Sequence, residues 1–147
     1  NTDKYLANSK KKYDCVVLMN VLEHTDKFLD LFYIALKKSN KYVLVALPNE
    51  DNILSRIRFI LGKGILTHGL DMIDKKPGHK HQWFIQYKPA LHFFKKNAKK
   101  NNFDLLNTLF FIQYPKKLIK RIIYRFLMLF VSKQTQMQCF CMIFKKN

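Results

Sequence analysis

Apolar residues gather along this chain in short unbroken runs and in helical stripes, and the order of the two sets the expected fold. Cys15-Val16-Val17-Leu18-Met19 is a run held between Asp14 and Asn20, the pattern of a strand buried on both faces of a parallel sheet. Leu29, Phe32, Tyr33 and Leu36 then recur at helical spacing, which predicts a helix from Thr25 to Lys38. Asp26 and Asp30 come early in it and Lys37 and Lys38 late, as the helix dipole favours. Ser39-Asn40 is expected to stop it, because Asn tolerates the left-handed conformation of a helix end. A second apolar run, Tyr42 to Leu47, ends at Pro48-Asn49. Two such strands joined by a helix form a βαβ unit with parallel pairing and a right-handed crossover. Their carboxyl ends then share one sheet edge and bring Asn20 towards Asn49, at the place where open α/β sheets hold ligands.

Residues 50–86 break the repeating pattern. Asn52 to Leu61 reads as a short helix with Ile53, Ile57, Ile60 and Leu61 on one side, stopped by Gly62-Lys63-Gly64. A loop follows with Gly69, Pro77 and Gly78, carrying His68, His79 and His81. An excursion of this length beyond a strand's carboxyl end is expected to cover a substrate. Pro89 can open the next helix, whose core stripe is Leu91, Phe94 and Ala98 and whose stop is Asn101-Asn102. Asp104 to Ile112 and Gln138 to Phe144 read as strands. Between them Lys116 to Val131 is a basic amphipathic helix, with Ile119, Ile122, Ile123, Phe126, Leu127 and Phe130 on one face and Lys117, Lys120, Arg121 and Arg125 on the other. It is too short and too charged to span a bilayer. Its apolar face is expected to pack on the sheet or close a site, with peripheral contact between residues 116–131 and an anionic membrane as the other way to cover it.

Length and charge bound this picture without redirecting it. A chain of 147 residues, 48% hydrophobic, holds one domain over 1–147. The net charge of +17 comes mostly from Lys, in pairs such as Lys37-Lys38, Lys95-Lys96 and Lys99-Lys100 at the polar faces and ends of predicted helices. That pattern suits a solvated, compositionally biased surface better than a nucleic-acid stripe, so nucleic acid is not favoured as a partner. Three cysteines make no disulfide framework and suit a reducing, cytoplasmic setting. The chain opens on Asn1-Thr2-Asp3-Lys4 with neither an initiating Met nor a signal peptide, and it is expected to be a piece of a longer protein.

Candidate chemistry lies in the excursion and at the first strand's end. His79 and His81, at i and i+2, point the same way in an extended segment. They suit a general base or substrate contact, packing within the loop, or a metal pair; no carboxylate sits at ligand spacing, so no metal is expected. Glu23 and His24 invite an acid/base reading beside a structural one.

Tyr13-Asp14-Cys15-Val16-Val17 followed by Asn20-Val21-Leu22-Glu23-His24 resembles a segment of class I S-adenosylmethionine-dependent methyltransferases of the type 11 and ubiquinone-biosynthesis-like groups. Leu36-Lys37-Lys38-Ser39-Asn40, Leu47-Pro48-Asn49, His81-Gln82-Trp83-Phe84 and Asn102-Phe103 are similar to later blocks of the same families, in order. The resemblance implies an α/β, Rossmann-like methyltransferase fold with sheet order 3-2-1-4-5-7-6, this chain holding strands 4 to 7 with the last antiparallel. It implies S-adenosylmethionine as cofactor and a small-molecule acceptor such as a quinone, lipid or saccharide precursor. Asn20, Val21 and Leu22 would line the cofactor's methionine end, although Asn20 also serves simply to break the strand. Asn49 and Trp83 would touch substrate, and His81 and His79 are the candidate bases. The glycine-rich turn and the acidic ribose-binding residue have no counterpart here, so the resemblance covers the C-terminal half only. The first strand then becomes an open edge, and the chain alone is expected to be poorly soluble and to bind cofactor weakly. The rival expectation is a basic, non-enzymatic module for nucleic acid or anionic membrane.

Overall fold

A computed structural model describes residues 11–64 and 81–147. Strand β1 (Tyr13–Met19) leads through a 3₁₀ turn (Leu22–His24) into α1 (Phe28–Lys38) and β2 (Ser39–Pro48). Helices α2 (Ile53–Ile60) and α3 (Tyr87–Lys99) precede β3 (Phe103–Phe111), and α4 (Leu118–Met128) and the single turn α5 (Lys133–Gln136) lead to β4 (Cys139–Lys146).

The strands form one sheet in the order β1-β2-β4-β3. β1 and β2 are parallel, and β4 runs antiparallel to both its neighbours. This is the neighbour order implied for strands 4, 5, 7 and 6. Because side chains alternate across a strand, the registered row Val16, Val43, Phe144 and Leu105 shares one face. Helices α1 and α3 cover that face. Phe32 of α1 is 0% exposed and meets Phe94 of α3 at 4.9 Å and Phe144 of β4 at 5.8 Å between ring centroids, both edge-on, the geometry that aromatic quadrupoles favour.

The opposite face corrects the expectation of a doubly buried first strand. Val16 and Leu18 are buried, but Val17 is 50% and Met19 62% exposed, and Leu109 and Phe111 of β3 are exposed on the same side. The apolar run was correctly read as a strand. Its burial was not, because α1 and α3 both lie over the other face. The helix stop at Ser39-Asn40 is also different: Ser39 has φ −90 and ψ 134 and enters β2 directly, its hydroxyl donating to the Tyr42 carbonyl at 2.7 Å. Asn102 does take the left-handed stop, at φ 60, as does Gly62 at φ 66.

Neither amphipathic helix packs as its stripe suggested. Ile57, Ile60 and Leu61 at the end of α2 are exposed, and so are Ile119, Ile122, Ile123, Phe126 and Phe130 of α4 and the turn after it. Among its described side chains, α4 buries Tyr124 and Met128. Among the described residues no helix is long and apolar enough to cross a membrane.

The one-sided core gives a stability test. Phe144→Ala should cost about 3–5 kcal/mol, whereas Val17→Ala, on the open face of the same sheet, should cost less than about 1 kcal/mol. Urea denaturation of the two variants checks the contrast, and comparable losses would mean that the second face is covered in solution.

Candidate functional site at the carboxyl ends of β1 and β2

β1 stops because Asn20 turns into the left-handed region, at φ 49, while its N–H donates to the Ala46 carbonyl of β2 at 3.1 Å. The 3₁₀ turn that follows sends Leu22 and Glu23 inward, 2% and 1% exposed. At the end of β2, Asn49 and Glu50 are buried as well. A glutamate at the buried end of each strand is costly unless it finds partners.

Residues 81–85 cross both strand ends as a strap, giving the Glu50 carboxylate its partners and bonding Glu23 through its backbone carbonyl. The Gln82 N–H donates to the Glu23 carbonyl at 2.8 Å, the Gln82 amide to the His24 carbonyl at 3.1 Å, and the Trp83 indole to the Thr25 carbonyl at 2.8 Å. On the β2 side, Glu50 Oε2 accepts from the Ile85 N–H at 2.9 Å, and the Glu50 N–H donates to the Ile85 carbonyl at 2.9 Å. Glu50 Oε1 lies 2.7 Å from His81 Nδ1. With Glu50 ionised, its carboxylate can only accept, and the proton of this bond sits on His81 Nδ1.

The strap thereby brings together residues far apart in sequence. The His24 and His81 rings meet edge-on at 4.9 Å, and His24 Nε2 lies 4.0 Å from Glu23 Oε1. Among the described residues Glu23 Oε2 is buried without a hydrogen-bond partner, and burial pushes the Glu23 carboxyl above its usual range. Glu23, His24 and His81 each offer one ligand atom within 4.8 Å of the others. Two imidazoles and a carboxylate can share a proton, and they are also a donor set that suits zinc or ferrous iron.

Two cavities lie along the strap and the end of β2. An apolar one of about 300 Å³ runs beneath the strap, lined by Leu22, Phe28, Leu47, Trp83, Phe93 and Phe94 among others. A polar one of about 240 Å³ is lined by Asn49, Asp51, Arg56, Tyr87 and Gln134 among others, with Asp51 and Arg56 paired at 2.8 Å.

The expected site residues divide between these places. Asn20 and Val21 are exposed at the sheet edge, whereas Leu22 turns its side chain into the apolar cavity. Asn49 donates to the carbonyls of Gln134 at 3.0 Å and Met137 at 3.1 Å, tying the end of β2 to the approach of β4, and its Oδ1 is buried without a partner among the described residues. Trp83 packs on Phe28 at 5.0 Å between ring centroids and walls the apolar cavity. His81 joins Glu50, while His79 lies outside the described residues. Glu50 was missed in the sequence, and Glu23 and His24 were not connected to His81. The signal was an acidic residue just past each strand end, in Asn20-Val21-Leu22-Glu23 and in Pro48-Asn49-Glu50. Cys139 and Cys141 are sheet residues whose thiols burial pushes up, with the Cys141 and Glu23 charges adding to the rise at Cys139.

No sequence family model and no curated protein matches the chain. Solved structures do. A SAM-dependent methyltransferase from Archaeoglobus fulgidus superposes with TM-score 0.60 at 19% identity, over 99% of this chain and 65% of that one. Magnesium protoporphyrin IX methyltransferase from Synechocystis PCC 6803, solved with bound SAH, gives 0.57 at 14% identity over 97% and 48%. The small RNA methyltransferase HEN1 gives 0.56 at 15% identity over 92% and 14%. The chain thus spans about half of the Synechocystis structure and under two thirds of the archaeal one. At these identities the likeness shows the fold: the chain has a Rossmann-like methyltransferase fold.

Because the Glu23 carboxyl titrates higher in the folded chain than in the unfolded one, the folded state holds the extra proton. Its stability should therefore fall as pH rises from the unfolded carboxylate range through the raised folded value. The slope should be no steeper than about 1.4 kcal/mol per pH unit, the limit for one proton. Denaturant titrations of wild type and Glu23→Gln across this range should show that the substitution removes this component, and identical pH profiles would contradict it.

Proposed function

We propose that this chain is the substrate-side half of a class I S-adenosylmethionine-dependent methyltransferase, of the type 11 or ubiquinone-biosynthesis-like kind, acting on a small-molecule acceptor. The observation that carries the proposal is the sheet order β1-β2-β4-β3 with β4 antiparallel. The chain's share of the neighbouring methyltransferases' lengths and the SAH in one of them support it.

The residues present fit one wall of the cofactor's site. Exposed Asn20 and Val21 at the edge of β1 would meet its methionine end, with Leu22 beneath them. A glycine-rich turn after a strand is not among the described residues. The free edge and open face of β1 are where the half that carries such a turn would attach. Bound between the two halves, the cofactor supplies a methyl group on a sulfonium, transferred by in-line displacement.

This chain's own work is then positioning and proton removal. The apolar cavity under Trp83 takes the acceptor's hydrophobic part, which favours a quinone or lipid precursor over a saccharide. His81 Nε2 accepts the acceptor's proton, while Glu50 fixes the ring and stabilises the imidazolium that forms. The strap, bonded to both strand ends, keeps water from the reacting oxygen. Asn49, with its unpartnered Oδ1, lines the polar cavity beside it.

A second reading of the same residues rests on the 4.8 Å grouping of Glu23, His24 and His81, with Glu23 Oε2 unpartnered among the described residues, which would hold one divalent cation. Activity that survives chelation would leave proton transfer by His81 as the better reading.

In the protein that includes this chain with the sequence preceding it in its gene, His81→Asn should lower kcat by about 100-fold, and Glu50→Gln by about 10-fold. Affinity for S-adenosylhomocysteine should stay unchanged in both. By calorimetry, this chain alone should bind that product more weakly than micromolar. Micromolar affinity of the chain alone would sink the half-domain reading and leave the enzymatic one standing.

A further inference from the structure

The apolar side of α4 faces away from the protein body. Leu118, Ile119, Ile122 and Phe126, with Leu129 and Phe130 in the turn that follows, are each at least 60% exposed. At about 3.6 residues per turn they fall within one half of the helix circumference. The helix rests on the body through the other side. Tyr124 accepts from the Gln138 amide at 3.3 Å and stacks edge-on against Tyr114 at 5.8 Å, and Met128 is buried beside it in the helix.

Charge identifies what this face meets. No Asp or Glu follows Asp104 in the chain, whereas Lys116, Lys117, Arg121, Arg125 and Lys133 surround α4. Arg125 lies at the margin of the apolar arc and is steadied there, its guanidinium 5.7 Å from the centre of the Tyr114 ring. Two copies meeting through this face would bring these cations together. A nucleic acid would be offered the apolar arc instead of the basic residues. An anionic bilayer suits both parts at once: apolar side chains enter the acyl boundary while the cations meet headgroups. At 11 residues α4 is about 16 Å long, enough to lie along the surface and too short to cross it.

We infer that α4 and the turn after it form a docking face for anionic membrane surfaces, laid parallel to the bilayer with Ile122 and Phe126 at its centre. This does not depend on the catalytic reading, since none of these residues belongs to the strap cluster.

Sedimentation with phosphatidylcholine vesicles, with and without about one-third phosphatidylglycerol, tests the inference. The wild-type chain should bind the anionic vesicles at least about tenfold more tightly than the neutral ones. The double variant Ile122→Ser/Phe126→Ser keeps every charge and removes only exposed side chains. It should keep its circular dichroism spectrum and lose at least about tenfold in affinity for anionic vesicles. The variant Lys116→Glu/Lys117→Glu should weaken binding to anionic vesicles alone. Undiminished binding by the serine variant would reduce the effect to adsorption by net charge and overturn the inference. A wild-type chain that ignores vesicles overturns it too, and does so in favour of a second copy if it forms a dimer that the serine variant does not.

Discussion

Glu50 is the contact on which the site depends. It is buried at the end of β2, where an ionised carboxylate is expensive, and each of its oxygens has one partner from the strap: His81 Nδ1 for one and the Ile85 N–H for the other. Those two bonds, joined by the backbone pair between Glu50 and Ile85, fix the strap across the sheet edge. Take Glu50 away and three things loosen together. His81 loses the partner that sets its tautomer, the wall of the apolar cavity at Trp83 and Ile85 loses its tether on the β2 side, and Glu23 loses the roof that buries it. Such networks are worth more than their separate bonds, because every member is held by a neighbour that the low local dielectric strengthens.

The sheet explains why this network stands where it does. Parallel β1 and β2 must end at the same edge, and two buried strand ends leave backbone and side-chain polar groups that need partners. Asn20 resolves the first end by a left-handed turn and Asn49 the second by donating to two carbonyls before β4. Both asparagines therefore have structural work, which does not compete with contact to a ligand: Asn20 stays exposed and Asn49 retains an unpartnered oxygen. Structure and function meet in the same side chains because strand ends are where the fold is least complete.

Local rules carried the sequence reading as far as the elements and their order. Apolar runs between polar stops gave the strands, and the stripe in Leu29, Phe32 and Leu36 gave α1, since both patterns depend on near neighbours. The strand order needed a resemblance, because Val43 meeting Phe144 is a contact across some hundred residues that no periodicity encodes. Burial was where the residues misled. Val17 and Ile122 are as apolar as Val16 and Phe32, yet one pair is exposed and the other is not. Hydropathy reports what a side chain tolerates, while exposure depends on which element lies above it. Glu50 was illegible for a related reason: its role is defined by a residue 31 positions away, and only the path of the strap brings the two together.

Two of the apolar surfaces left uncovered among the described residues call for different partners, and charge separates them. Around Val17, Met19, Leu109 and Phe111 the surface is a sheet face, continuous with the free edge of β1. Open edges of this kind pair with further strands, and flat apolar sheet faces are covered by helices. At the start of β1, Asp14 and Lys41 pair across 3.2 Å. That surface suits protein, as the remainder of a methyltransferase domain would be. The arc on α4 is instead a ridge with no free backbone bonds to offer, bordered by cations and followed by no acidic residue to the end of the chain. A complementary protein would have to supply both a groove and a ring of carboxylates, whereas an anionic bilayer presents a yielding apolar layer beneath negative headgroups over its whole area.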